Sequence, residues 1–544
     1  MRLANEGAGE SSSAPSFVYR SVSISARIVL HAKVNRLKPI AFSARALRRM
    51  ARLIATPAPT LCARAPHRRI PIAGRQQGDR PVQTEHDLYI DETRERVKHY
   101  FRWIEFTHSS TKAAGVMLVA AILALIVANS PIYDAFLGFW HAHLTFGFGE
   151  NVRSMTLAHF INDVLMAIFF LLVGLEIKYE MTVGELTNIR QAILPIMAAA
   201  GGVVAPILIF IAFNFGTATA SGWGIPTATD IAFALGVLSL LGDRIPSGVR
   251  VFLSTLAVAD DIIAILILAI FYGQSPSIPW LGAAALVMIA LIALNKRHVY
   301  ALAPYIALGV VLWYCIFSSG IHSTIAGVLL AFAIPSGSHV NLHTFADWSG
   351  RKVEQARESF APETPVIAQG DYLKAVAELS KVAKQVIPPA VRLEKYLYPW
   401  VYFLILPLFA LTNADVRLVD GTLGNVFASP VLYGVFFGLL IGKPAGILAM
   451  TLITVKSGLA GLPSGARAAH MVGAALLGGI GFTMAIFVAN LAFVDPVAVT
   501  IAKVGILSAS LVAGVAGFLL LLFVSRKDAQ DDSCKTDNLA ETTA

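Results

Sequence analysis

Charge is scarce in this 544-residue chain: Asp, Glu, Lys and Arg make up 14% of it, against about 25% in soluble domains. Hydrophobic residues make up 56% and the mean hydropathy is +0.66. A soluble fold would have to bury several apolar runs of about 20 residues, each long enough to cross a hydrocarbon core of about 30 Å. That excludes a soluble protein. The runs also lack the polar/apolar alternation that a lumen-facing strand requires, which excludes a transmembrane barrel. Cysteine is nearly missing. Cys62, Cys315 and Cys534 stand far apart without a CxxC pair, so neither a disulfide framework nor a zinc site is indicated. No Walker A loop occurs, which turns the reading from ATP hydrolysis toward ion gradients as the source of work.

Acids are also scarce at the start. Residues 1–95 are rich in Arg and Ser, with runs such as "RALRRMARL" and "RAPHRR", and read as a disordered basic tail, a transit-like presequence, or translation from a start codon placed too far upstream. The net charge of +9 collects there and in short loops, so it calls for no nucleic acid. "TRERVKHYFRWIEF" then suits a helix lying on the membrane surface. From 96 to 526 the chain reads as one membrane domain. Apolar stretches near 113–130, 156–175, 191–215, 224–241, 248–272, 280–295, 299–317, 319–335, 398–413, 429–453, 469–492 and 500–524 predict an all-α membrane protein of about twelve spans. Alternate loops carry Lys178 and Arg190, Arg244 and Arg250, Lys296 and Arg297, Lys456 and Arg467, and Arg526 and Lys527, which puts both termini in the cytoplasm. Residues 336–396 form a long cytoplasmic loop in which "DYLKAVAELSKVAKQV" has helical apolar spacing. Residues 527–544 read as a disordered tail.

Four ionisable residues stand where charge is expensive. Asp260 and Asp261 are central in "VRVFLSTLAVADDIIAILILAIFYG", Asp230 in "GWGIPTATDIAFALGVLSLL", and Lys443 in "VLYGVFFGLLIGKPAGILAMTL". Each opposes insertion by about 2.5–3.5 kcal/mol, on the order of 10 kcal/mol together. One Asp–Lys pair would be explained as helix glue, but two further carboxylates then lack a countercharge and must hold protons, a cation, or each in turn. Adjacent residues on a helix point about 100° apart, so one aspartate of the pair is expected to meet Lys443 and the other to face the ion path. Close carboxylates in a low-dielectric site repel one another's charge, so one holds a proton that an arriving Na⁺ displaces. The two titrate as a coupled unit, which predicts steep control by pH. Thr229 and Thr227 offer oxygen ligands beside Asp230, and Pro226 favours unwinding there. Gly478, Gly479 and Gly481 mark a second candidate break.

The motifs "TATDIAFALG", "VADDIIAI", "FFLLVGLEIKYE", "LLIGKPAGI" and "GGIGFTMAIF" closely resemble those of the NhaA-type bacterial sodium/proton antiporters, in their order and spacing, from about Phe106 to Phe523. The resemblance implies two inverted repeats whose broken helices cross near the ion site, a pointer to the binding site for which NhaA-type proteins are themselves a standing example. It implies that Asp261 is the principal cation ligand, that Asp260 pairs with Lys443, and that Asp230 and Thr229 belong to the broken-helix site. It further implies electrogenic exchange by alternating access, exporting Na⁺ or Li⁺ for more protons and serving sodium and pH homeostasis in the bacterial inner membrane. Glu176, Glu180 and Glu394 match the family's acidic pH-response positions. Tyr179 stands where a basic residue is familiar, and Lys395 and Tyr398 stand where histidines are, so a histidine switch is absent there.

No cofactor is expected beyond the transported Na⁺ or Li⁺ and H⁺. The expected partners are the lipid bilayer and these ions, with a homodimer as one option for assembly. An intramembrane aspartyl protease would need its acids facing each other across two helices and a GxGD motif, which is absent. A solute symporter would need a second polar set among the spans, and none is visible. His141 and His143, an i,i+2 pair in a loop without partner ligands, read as surface residues rather than a metal site.

Overall fold

A computed structural model describes Lys98 and residues 102–543, except 149–150, 274–275, 339 and 418–422. The basic tail expected over 1–95 lies outside the described residues, as does most of the expected surface helix. Nine helices among the described residues are long and apolar enough to cross a bilayer. In chain order, the helices that matter here begin with α1 Ser110–Ala128 and α2 Tyr133–Trp140. An antiparallel hairpin, β1 His143–Phe148 and β2 Asn151–Thr156, pairs His143 with Thr156. There follow α3 Leu157–Thr182, α4 Ile189–Asn214, α5 Ile231–Ser239, α6 Ser247–Phe271, α7 Ile278–Lys296, α8 Leu302–Ser319 and α9 Ile325–Ala333. The second half comprises α10 Leu342–Glu358, α11 Gly370–Val386, α12 Pro389–Asn413, α13 Pro430–Lys456, α14 Ala468–Gly478, α15 Phe482–Ala492 and α16 Pro496–Thr543.

Of the about twelve helices expected, two of them interrupted, nine reach spanning length among the described residues. The bent pair α14–α15 can count as a tenth crossing, but α5 and α9 have 9 residues each, about 14 Å of helix. The causes are local. Gly320 takes φ 84° and ends α8, the polar stretch Ser323–Thr324 delays α9, and Pro335 follows its end. The buried C-terminus of α9 needs partners for its carbonyls. Lys178 Nζ reaches Phe332 O at 2.9 Å and also Ile334 O, and Asn295 Nδ2 donates to Ala333 O at 2.8 Å. Lys178 is thus more than the loop charge it resembles in the sequence.

In lipid, helices gain nothing by hiding apolar surface from one another, so contact depends on close backbone approach. α13 packs along α4 at such a crossing. A Cβ on Gly446 would lie 2.0 Å from Gly201 O, and one on Gly201 would lie 2.3 Å from Gly446 O. α9 crosses α3 the same way, with Gly327 against Ala167 O at 2.2 Å. Gly446→Leu must force α13 from α4, a strain of about 1–3 kcal/mol or more. The purified variant should melt several degrees below wild type in detergent, and an unchanged melting temperature would show that this crossing yields freely. On the outer face, Phe271, Ile278, Leu286, Val310 and Phe523 are exposed, an apolar surface suited to lipid and costly in water.

The loop segment expected to be helical is α11. It pairs with α10, which the sequence reading did not anticipate. Lys352 meets Glu378 at 2.7 Å and holds that carboxyl below its usual range. Gln369 closes the connection by accepting from Ala361 N and donating to Ala361 O and Thr364 O. At another surface, Lys503 on α16 holds Asp415 at 2.9 Å. Burial and the Asp415 charge push the Tyr133 hydroxyl up to about 12, so it stays neutral and donates to Asp415. α16 remains helical to Thr543, through residues read from sequence as a disordered tail.

Candidate functional site

Two stretches of chain abandon the α-helix inside the bundle. The first is a 3₁₀ segment over Ala220–Thr227, followed by extended backbone at Ala228 (φ −75°, ψ 145°) and at Asp230 (φ −93°, ψ 95°). Pro226 lacks an N–H and cannot continue an α-helix here. The second is Gly479–Gly481, where α14 and α15 meet at a bend of 42°. None of these glycines has a positive φ; they are needed for proximity. A Cβ on Gly479 would lie 2.7 Å from Leu439 O, and one on Gly481 would lie 3.2 Å from Ala228 O. The two stretches touch, because the Asp230 N–H donates to Ile480 O at 2.7 Å.

Asp230 caps both helices that restart there. Its Oδ1 accepts from Phe233 N at 3.0 Å, in the first turn of α5. Its Oδ2 accepts from Thr483 N at 3.1 Å and from Thr483 Oγ1 at 2.6 Å, in the first turn of α15. A carboxylate between two helix N-termini is satisfied by their free N–H groups and partial positive charge. Ser510 on α16 completes the α15 end, accepting from Gly481 N at 3.2 Å and Phe482 N at 3.1 Å.

Asp260 and Asp261 sit near the middle of α6, at 1% and 5% exposure. Asp260 Oδ2 lies 3.1 Å from Lys443 Nζ and accepts from Thr229 Oγ1 at 2.7 Å. Its Oδ1 is buried and has no hydrogen-bond partner among the described residues. Thr229 Oγ1 also lies 3.2 Å from Gly478 O, the last residue of α14. Lys443 is fully buried and donates as well to Thr227 O. A π-turn over Gly438–Gly442 precedes it, ending two residues before Pro444, which offers no N–H to the α-helical ladder. The Thr227 hydroxyl, a candidate ligand by sequence, instead donates to Gly224 O at 2.7 Å. That leaves its carbonyl, taken by Lys443, as its contribution.

Asp261 faces a chamber of about 10 Å³ that Asp230, Thr229, Thr483, Glu176 and Tyr402 also line. This is room for about one water-sized occupant. Beyond it lies a wider cavity of about 210 Å³, lined by Glu176, Glu180, Glu394, Tyr179, Tyr398 and Tyr402 among others. Glu180 Oε2 accepts from Glu185 N at 3.1 Å. The sequence-predicted residues thus fall into two connected groups. Asp230, Thr229, Asp260, Asp261 and Lys443 gather around the two broken stretches, with Gly479 and Gly481 in the second of them and Gly478 ending the helix before it. Glu176, Glu180 and Glu394 line the wider cavity.

Sequence reasoning missed Thr483, Ser510 and Tyr402. Thr483 carried a signal, a hydroxyl in the first turn after a glycine cluster. Ser510, in an apolar span, carried none. Asp163 lies outside this group, paired with His159 at 2.6 Å. Neither loop histidine stands free: His141 Nδ1 lies 2.9 Å from Leu137 O and His143 Nδ1 3.1 Å from Ser154 Oγ.

The arrangement offers a dehydrated monovalent cation carboxylate and hydroxyl oxygens, the hard ligands such ions prefer, beside a fixed positive charge. Residues 104–521 match the model of the family described as Na⁺/H⁺ antiporter 1. A protein named Na(+)/H(+) antiporter NhaA from Wolinella succinogenes is 42% identical over 433 residues, 80% of this chain and 95% of that protein. Proteins of the same name from Oleidesulfovibrio alaskensis and Syntrophobacter fumaroxidans are each 44% identical, over 76% of this chain and over 92% and 88% of their own lengths.

Proposed function

The chain belongs to the Na⁺/H⁺ antiporter 1 family and exchanges sodium for protons as a secondary transporter of the bacterial membrane, and from that premise we propose how its own residues do so. Asp261 is the principal cation ligand, assisted by Asp230 and Thr229, and Asp260 pairs with Lys443. Na⁺ or Li⁺ and H⁺ compete for the aspartates. The site faces the two sides of the membrane alternately, with the broken stretches as parts of two inverted repeats. Exchange is electrogenic, moving more protons than sodium ions as the family resemblance implies, and two titrating acids for one monovalent ion agree with it. The protein exports Na⁺ from the cytoplasm across the inner membrane, with both termini cytoplasmic, and serves sodium and pH homeostasis. Glu176, Glu180 and Glu394 form the pH-responsive approach. It performs no covalent chemistry and needs no cofactor.

The observation that carries this reading is three buried carboxylates set against one buried lysine, with a chamber for a single small occupant beside them. Such a set cannot be neutral without protons or a cation. Titration calorimetry of the purified protein with NaCl or LiCl, in two buffers of different ionisation heat, counts the protons released. Uptake should expel protons, and apparent affinity should weaken as pH falls, because H⁺ occupies the same oxygens. Cation uptake without proton release at any pH would overturn the competition.

A further inference from the structure

The wide cavity and the small chamber share a stretch of wall, the neck. Among the described residues, only Glu176, Tyr402, Ile231 and Ala232 border both spaces, so an ion passing from one to the other moves between these side chains. Two of the four are polar, and they face each other: Tyr402 Oη donates to Glu176 Oε1 at 3.4 Å. Tyr402 is 8% exposed, and its ring packs on Tyr398 with centroids 4.4 Å apart. Its place depends on a π-turn over Val401–Ile405, which ends two residues before Pro407. Such a turn re-aims a side chain relative to a regular helix and is frequent at functional sites.

A cation in the wide cavity has room for water, whereas the chamber admits about one water-sized body. The hydration shell must therefore be exchanged for protein oxygens at the neck. We propose that the Tyr402 hydroxyl is a positioning group for this step: it supplies an oxygen to the cation as water is shed, in concert with Glu176, before the ion meets Asp261. The proposal rests on the ion path given above. It predicts an order of activities that a packing role would reverse. Tyr402→Phe keeps the ring, fills the neck and removes the oxygen, with no space for water to replace it. Tyr402→Ala or Tyr402→Ser removes the ring and makes room for a water that can do the hydroxyl's work.

Exchange measured in everted vesicles over a range of Na⁺ concentrations, with Na⁺ affinity measured by calorimetry on the same purified variants, tests this. In Tyr402→Phe, Vmax/KM for Na⁺ should fall about tenfold, the scale of one lost bond to a charged group. Its equilibrium affinity should stay within about twofold, because Asp261, Asp230 and Thr229, rather than the Tyr402 hydroxyl, are the proposed ligands of the seated ion. Tyr402→Ala or Tyr402→Ser should recover most of the lost Vmax/KM. Wild-type kinetics in Tyr402→Phe, a parallel loss of equilibrium affinity, or a small variant less active than Tyr402→Phe would each overturn the proposal. If neither small variant folds, the Tyr402→Phe kinetics and affinity decide alone. Asp261→Asn measured alongside separates the two ideas: its retention of exchange would remove the ion site itself, whatever the Tyr402 variants do.

Discussion

Asp261→Asn in everted vesicles should leave an imposed proton gradient intact when Na⁺ or Li⁺ is added, under conditions where the wild-type protein dissipates it. The expected loss of exchange is about hundredfold or more, the cost of removing a charged ligand from a desiccated site. The three aspartates are unequal in this respect. Asp230 commits its oxygens to Phe233 N, Thr483 N and Thr483 Oγ1. Asp260 commits Oδ2 to Lys443 and Thr229. Among the described residues Asp261 takes part in no such ion pair, and it faces the chamber, so on the proposed ion path an amide there removes both the charge that attracts the ion and the proton site. Its melting temperature should stay close to wild type, since no buried cation is stranded. Equal dissipation by variant and wild type would take Asp261 out of the ion path.

The deep charges were legible because the background is so uniform. In lipid-facing helices every ionisable group costs several kcal/mol, so Asp230, Asp260, Asp261 and Lys443 stand out against their apolar neighbours without any structure. The helical class was legible for the same reason, since continuous apolar runs allow little else in a bilayer. The clustering of these four residues was only implied. It depends on Asp230 N reaching Ile480 O and on Thr229 bridging Asp260 and Gly478, contacts across 31 residues in one case and about 250 in the others that no local pattern encodes.

What stayed hidden was whatever depends on how the helices end. Apolar runs at 224–241 and 319–335 have the composition of spans, yet α5 and α9 are short because Pro226, Gly320 and flanking polar residues set their limits, and hydropathy does not register backbone termination. Thr227 shows the same blindness on the scale of one residue. Its hydroxyl invited the role of ligand, but that hydroxyl bonds back to Gly224 O and the useful oxygen is the carbonyl. Tyr402 escaped because it reads as one more aromatic in "YPWVYFLILP", and only the π-turn places it at the neck.

Asp260→Asn should damage folding more than the other single changes at the site. Lys443 is fully buried, and its ammonium is held by Asp260 Oδ2 and Thr227 O. An asparagine can still accept from Thr229, but it cannot balance the charge. Breaking a buried pair by removing one partner costs about 3–5 kcal/mol, because the survivor remains charged in a medium that solvates it poorly. The purified Asp260→Asn protein should therefore melt well below wild type. Replacing both partners removes the stranded charge, so Asp260→Asn with Lys443→Met should melt closer to wild type than Asp260→Asn does, although the pair contributes little net stability when intact. The double variant decides between two accounts of Lys443. If it restores the melting temperature, the lysine is there to balance Asp260. If it melts lower still, the Lys443 bond to Thr227 O holds the unwound stretch before Asp230 by itself, and the ion pair is secondary to that tether.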